Sequence, residues 1–284
     1  MSPEKRNLKR PLKHLAKWAV ALFSVVYLSQ CKIYVETFED SVGDNYFADY
    51  QSSKLVDLMM DYARVLHGIE NIDMKVPIES FDTSNNQKWF IVRFGDTDYE
   101  TCADGIDRRN AIAVNWEGDF FKQGNSFKIS MEPAYMGYYK FTGTIDVTFW
   151  GENEFEQSEH EVKSNFELIQ DNPRADIYDW TNEYVRTRII GESTPRSSDD
   201  VYSVWGTTYA RNRKGRYFSS VIKDTIHFSN ACEWGILNGR IDIQPIDGTQ
   251  RTFVNYGSWD QLDCRRYYSF TRGNREVTIT KNTK

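Results

Sequence analysis

The chain has little of what metal centres and familiar catalysts are made from. Its 284 residues include four Cys and four His, with no C-x2-C pair, and His67, His160 and His227 stand far from any Cys pair, so a Cys/His zinc site has almost nothing to be built from. G-x-S-x-G, H-E-x-x-H, a Walker loop and a dinucleotide fingerprint are all missing, which removes the sequence signs of a nucleophile elbow, a zinc protease, a nucleotide-phosphate loop and an NAD site. No apolar run approaches 18 residues, which speaks against a polytopic membrane protein. Positive charge is short as well: 35 Lys+Arg against 41 Asp+Glu leave −6, the wrong balance for a nucleic-acid-binding face. Against these absences, 40% hydrophobic and 27% charged residues describe a body able to form a core.

The net charge hides an asymmetry. Residues 1–30 carry six basic residues and one acid, so the rest keeps 29 basic against 40 acidic residues, a net of −11. The basic stretch runs into an eleven-residue, largely apolar stretch, Trp18 to Leu28, too short to span a bilayer but suited to the apolar core of an export signal. Leu28-Ser29-Gln30-Cys31 resembles the lipobox of bacterial lipoproteins, with Gln30 where Gly, Ala or Ser usually precedes the Cys. A conventional cleaved signal and an uncleaved anchor are the alternatives, weakened by the lack of a good A-x-A site and by the short stretch. The expectation is a signal peptide over 1–30 and lipid on Cys31. The protein would then sit in the cell envelope, in a membrane that is expected to be the outer one, with leaflet and face open.

Residues 31–45 read as an acidic tether. From 46 to 69, Leu55, Leu58, Met59, Tyr62, Val65, Leu66 and Ile69 recur at steps of three and four, predicting an amphipathic helix that ends near Gly68. Asp57, Asp61, Arg64 and Glu70 are expected on much of its other side. Beyond Pro77 the pattern turns to short β-branched and aromatic runs, predicting strands at 88–94, 111–116, 126–131, 138–149, 162–168, 184–190, 201–210, 216–222, 236–243, 251–256, 267–271 and 276–280. Several alternate strictly, as Ile145, Val147 and Phe149 do against Thr144, Asp146 and Thr148, which implies antiparallel sheets buried on one face. The fold class is therefore mainly β, a sandwich or an open barrel-like sheet, with one N-terminal helix. Phe90 to Gly95 followed by Cys102, and Thr252 to Gly257 followed by Cys264, share one spacing and suggest two related β units, 46–170 and 171–284, packed as one body.

Cys102-Ala103-Asp104-Gly105 with Arg108-Arg109, Asp199-Asp200-Val201-Tyr202-Ser203-Val204-Trp205-Gly206, Asn212-Arg213-Lys214-Gly215-Arg216, Cys232-Glu233-Trp234 and Gly239-Arg240-Ile241-Asp242-Ile243 together resemble a group of uncharacterised envelope lipoproteins of Bacteroidota-type bacteria. The resemblance covers most of the chain after the tether. It implies a lipid-anchored envelope protein and no catalytic residue.

With Cys31 given to lipid, three Cys remain, and export permits a disulfide. Cys232–Cys264 is the favoured pairing, with buried free thiols as the alternative. The offsets of Asp96, Asp98, Glu100, Asp104 and Asp107 echo a calcium loop, but Thr101 stands where the turn needs Gly; a solvated acidic turn is the simpler reading, and no cofactor is expected. Seven Trp follow the signal. They fill sheet faces or, at Trp150, Trp205 and Trp259 beside turn residues, stack on sugars. The basic cluster Arg211, Arg213, Lys214 and Arg216 reads as a solvated hairpin tip. The function expected is a binding or structural module, with a glycan or another envelope protein as partner and no nucleic acid. Carbohydrate binding is the first alternative and hydrolysis at an unrecognised acidic site the second.

Overall fold

The computed structural model describes residues 41–69, 72–170, 177–191, 193–194, 197–232, 235–247, 251–257, 264, 267–272 and 275–280. Cys31, the signal segment and Trp259 lie outside the described residues.

A helix, α1, covers residues 41–66. It closes at Gly68, whose φ of +66° is left-handed, with the Gly68 N–H donating to Val65 O and Ile69 N–H to Arg64 O. That is the glycine-capped ending a helix uses to satisfy its last carbonyls. The helix begins earlier than periodicity predicted: residues 41–45 are helical, not tether.

The remainder is β-structure: β1 (Ile78–Asp82), β2 (Gln87–Arg93), β3 (Glu100–Thr101), β4 (Asp107–Arg109), β5 (Ala111–Glu117), β6 (Ser126–Met136), β7 (Tyr139–Glu152) and β8 (Ser158–Gln170) in the first half. The second half holds β9 (Ile177–Ile190), β10 (Val201–Arg211), β11 (Tyr217–Ser229), β12 (Ile236–Pro245), β13 (Thr252–Gly257), β14 (Tyr267–Arg272) and β15 (Arg275–Thr280). They form one antiparallel sheet that does not close. Its order is β1-β2-β5-β6-β7-β8-β9-β10-β11-β12-β13-β14-β15, with the small β3–β4 hairpin attached through β4 to β6. Neighbours in sequence pair in space, the cheapest topology for a chain of hairpins. All twelve expected strands are present, and β1, β3 and β4 are additional. The sheet runs across the expected unit boundary, with β8 and β9 paired from Glu159↔Thr187 to Ile169↔Ile177.

The sheet is bent around α1. Rings of the helix meet β2 at Tyr62–Phe90, β7 at Phe47–Tyr139, β11 at Tyr50–Phe228 and β13 at Tyr46–Tyr256. Tyr46 and Phe47 are adjacent on the helix, yet their partners on β13 and β7 stand six strand intervals apart, roughly 29 Å if flat at about 4.8 Å each, against a helix about 10–12 Å across. Only a curled sheet can touch one helix with both halves. Close approach at two glycines supports the bend. A Cβ on Gly206 (φ +151°) would lie 2.2 Å from Glu183 O, and one on Gly143 (φ +140°) 2.3 Å from Asn165 O. The cross-strand neighbours are Tyr184 and Phe166, rings that close over a residue with no side chain.

Curling has a second consequence. No residue between 41 and 66 is exposed, so Asp57, Asp61 and Arg64 are buried rather than solvated. The helix has a polar face, but the sheet covers it.

Candidate functional site

Asn45, Asp49, Ser53, Asp57 and Asp61 recur every four residues along α1, with Arg64 one short step further. On an α-helix that spacing makes a single stripe. The stripe meets inward-facing polar residues of the central strands: Asn182, Tyr184, Arg186 and Arg188 at alternate positions of β9, with His160 and Ser164 on β8 and Tyr202 and Thr208 on β10. Because side chains alternate along a strand, these point to one face, and that face holds the helix.

The contacts are ionic. Arg186 pairs with Asp57 and lies over the Tyr202 ring, 4.0 Å from its centroid. The Tyr202 hydroxyl sits between two carboxylates, 3.0 Å from Asp57 Oδ1 and 2.8 Å from Asp200 Oδ2. Asn230 Nδ2 donates to Asp57 Oδ2 at 2.7 Å and to Ser197 O at 2.7 Å. Asp61 accepts from Ser197 Oγ and Arg64 NH1, both at 2.7 Å. Nearer the start of α1, Tyr184 and Asn45 donate to Asp49 at 2.7 and 2.9 Å.

A cavity of about 310 Å³ opens beside this network. Lys54, Asp57, Leu58 and Asp61 of α1 form one wall, the 72–75 segment and Asp104 a second, and Ser197, Ser198 and Asn230 a third. Four of its charged groups, Lys54, Asp57, Asp61 and Asp104, are held by partners, while Asp73 and Lys75 stand exposed at the rim. Lys54 Nζ donates to Asn230 O at 2.7 Å, and Asp104 takes a two-pronged contact from Arg108, which is fully buried, at 2.7 Å for each bond. Burial lowers the Lys54 pKa against the opposing pull of Asp57, and raises Asp61 to about 6 against Ser197 and Arg64. The lining therefore presents three carboxylates and one ammonium group at fixed positions, with Asp73 and Lys75 exposed and Leu58 and Ile72 as apolar floor. It can hold a small polar ligand by charge and hydrogen bonds, and Asp61 can exchange a proton close to neutrality.

The same raised carboxyls tilt stability with pH. Burial raises Asp49 to about 7, against hydrogen bonds from Tyr184, Asn182 and Asn45 that pull it down. Between the ordinary carboxylate value of 3.8 and about 7, the folded chain holds a proton that the unfolded chain has released, so this contribution is complete at acid pH and is lost as pH rises through neutrality. Asp49→Asn keeps the shape of the protonated acid. The variant is expected to unfold at a higher temperature than the parent near pH 8, with the difference vanishing near pH 4. Calorimetry across that range checks it, and parallel curves would contradict it.

Other expected site residues fall elsewhere. Trp205 is 53% exposed on the face of β10 turned away from α1, as is Tyr209; Tyr209 and Tyr217 stack at 5.9 Å on that face. Trp180 and Trp116 are core residues, 1% and 3% exposed. The suggested calcium loop does not converge. Asp96 pairs with Arg93, Asp104 with Arg108, and Asp107 accepts from Thr101 Oγ1. Asp98 and Glu100 are exposed, and among the described residues no group of three His, Cys, Asp or Glu could hold a metal. The hairpin cations are likewise engaged, Arg211 with Asp179, Arg213 with Asp44 and Arg216 with Asp247. Cys232 and Cys264 are joined by a disulfide, while Cys102 is buried and free.

Sequence reasoning missed Lys54, Asp57, Asp61, Arg186 and Asp200. The signal was there in two patterns, the four-residue polar repeat of α1 and the alternating polar run of β9, each of which reads alone as a solvated face. No protein family, curated protein or solved structure matches this chain.

Proposed function

We propose that the chain is a binding module of the bacterial cell envelope, anchored through lipid on Cys31, whose ligand occupies the cavity beside Lys54. The observation that carries the reading is the cavity: Lys54, Asp57, Asp61 and Asp104, each held in place by a partner, around a space large enough for a small solute. Preorganised groups of this kind bind without the cost of being ordered first. Four lining carboxylates against two ammonium groups favour a ligand rich in donors, an amine or a polyol. The basic leader and the Leu28-Ser29-Gln30-Cys31 stretch support the address, and the Cys232–Cys264 disulfide suits an exported protein.

Two measurements test this. Mass spectrometry of the mature N-terminus is expected to find an acylated Cys31, with Cys31→Ala releasing the protein from membranes; a soluble protein starting at another residue would refute the anchor. Screening small amines and sugars by thermal shift is expected to find a ligand whose binding weakens at least about tenfold in Ser198→Trp, where a bulky ring fills the cavity from an exposed position. Binding unaffected by that substitution would move the site elsewhere.

A second reading is favoured by the outer face. Half-exposed Trp205 shares it with the stacked Tyr209 and Tyr217, beside the Arg211–Asp179 pair at 2.7 Å, a set of flat apolar rings edged by hydrogen-bonding groups that suits a sugar. On a glycan array, binding that disappears in Trp205→Ala and survives in Ser198→Trp would select this surface over the cavity.

A further inference from the structure

A second cavity, of about 580 Å³, has the opposite character. Met60 and Arg64 of α1, Phe149 and Glu152 of β7, His160 of β8 and Arg188 of β9 form its walls, with Ile69 and Phe121 completing the apolar part. It shares no lining residue with the first. One ion pair divides between the cavities, with Asp61 lining the first and its partner Arg64 lining the second. The second lining holds guanidinium groups where the first holds carboxylates and ammonium groups.

We propose that the second cavity binds the head of a small anionic amphiphile, a carboxylate or phosphate group carrying an apolar chain. Arg64 and Arg188 bring guanidinium groups to the lining, Arg64 paired behind it with Asp61 and Arg188 with Asp200 at 3.5 Å, against a single lining acid, Glu152, which is exposed. One contact to Asp61 does not exhaust the five donors of the Arg64 guanidinium. His160 lines the same space, is only 3% exposed, and its Nδ1 is buried with no hydrogen-bond partner. A buried, unpartnered nitrogen is costly unless something meets it, and an anionic oxygen would do so by accepting from the ring with its proton on Nδ1. The apolar half of the ligand has its own surface in Phe149, Phe121 and Met60, with Ile69, 57% exposed, available to a chain. Burial and the nearby Arg186, Arg188 and Arg64 hold His160 neutral. A bound anion would offset those cations and raise its pKa, giving a signal independent of affinity.

The test uses the purified full-length protein and three probes: octyl phosphate, inorganic phosphate and 1-octanol. Octyl phosphate is expected to bind at least about tenfold more tightly than either of the others, since only it engages both halves of the cavity. Glu152→Gln, which removes the one lining acid, should tighten octyl phosphate by about two- to fivefold, and Ile69→Ser should weaken it without changing inorganic phosphate. Both positions are exposed, so neither change threatens the core. The His160 resonance should titrate at higher pH in the complex. Phosphatidylglycerol vesicles separate the sources: displacement of octyl phosphate supports the proposal with a membrane lipid as ligand, and retention supports it with a soluble amphiphile. Octanol binding as tightly as octyl phosphate, an unmoved His160 titration, or indifference to both substitutions would overturn it.

Discussion

Arg186→Met is expected to destabilise the fold by about 3–5 kcal/mol, because it leaves the Asp57 carboxylate enclosed without a cation. The side chains of Arg186 and Asp57 are 4% and 3% exposed, so water cannot take over the lost contact. Asp57 would keep the Tyr202 and Asn230 hydrogen bonds, but Tyr202 is shared with Asp200. At about 2–4 °C per kcal/mol for a body of this size, the midpoint should fall by about 10 °C. The informative comparison is the double variant. Asp57→Asn with Arg186→Met removes both charges together and should recover more than half of the loss, since a buried pair is worth little net and a broken one is expensive. Urea unfolding of the two single variants and the double variant measures this coupling. A single variant costing under about 1 kcal/mol would mean that the network is hydrated and the sheet less tightly curled than described.

Reduction of Cys232–Cys264 should cost about 3–4 kcal/mol, the loop-closure value for a 32-residue separation. Cys232 lies in the connection between β11 and β12, and Cys264 in that between β13 and β14. In an antiparallel meander alternate connections return to the same end of the sheet, so the bond fastens the last strands to the body there. Cys232 also packs against Val201 and Leu237. The unfolding midpoint should fall when reductant is added, and by the same amount in Cys232→Ala. Hydrogen exchange should quicken first in β13–β15, next to the open edge. Equal midpoints in oxidised and reduced protein would refute the stabilising role.

Much of the architecture was legible. Alternation along β7 is a local property, written by Thr144–Phe149, and it survives because one face of a strand meets the core whatever the global bend; along β12 it does not, since Asp242 is buried as well as Ile241 and Ile243. The end of α1 at Gly68 was readable for the same reason, since only a residue without Cβ takes that backbone conformation cheaply. Strand lengths were less so: β9 extends from Ile177 through Asp179 and Thr181, residues that look like loop until a neighbour on each side supplies hydrogen bonds. The segments that carry the lipoprotein resemblance read as turn punctuation. Three of them prove to hold α1 or the cavity beside it: Asn212 and Arg213 bind Ser41 and Asp44, Tyr202 binds Asp57, and Asp104 lines the space next to Lys54.

The sequence by itself determined the class, mainly antiparallel β with one helix near the start, along with the charge contrast between residues 1–30 and the rest, because those depend on periodicity and charge within short windows. Only the tertiary structure decided that Asp57, Asp61, Arg64 and Arg186 face inwards. A polar stripe on a helix and a polar row on a strand each look solvated alone. They become a core only when the sheet curls far enough to press one against the other, where opposite charges replace the water that both have lost.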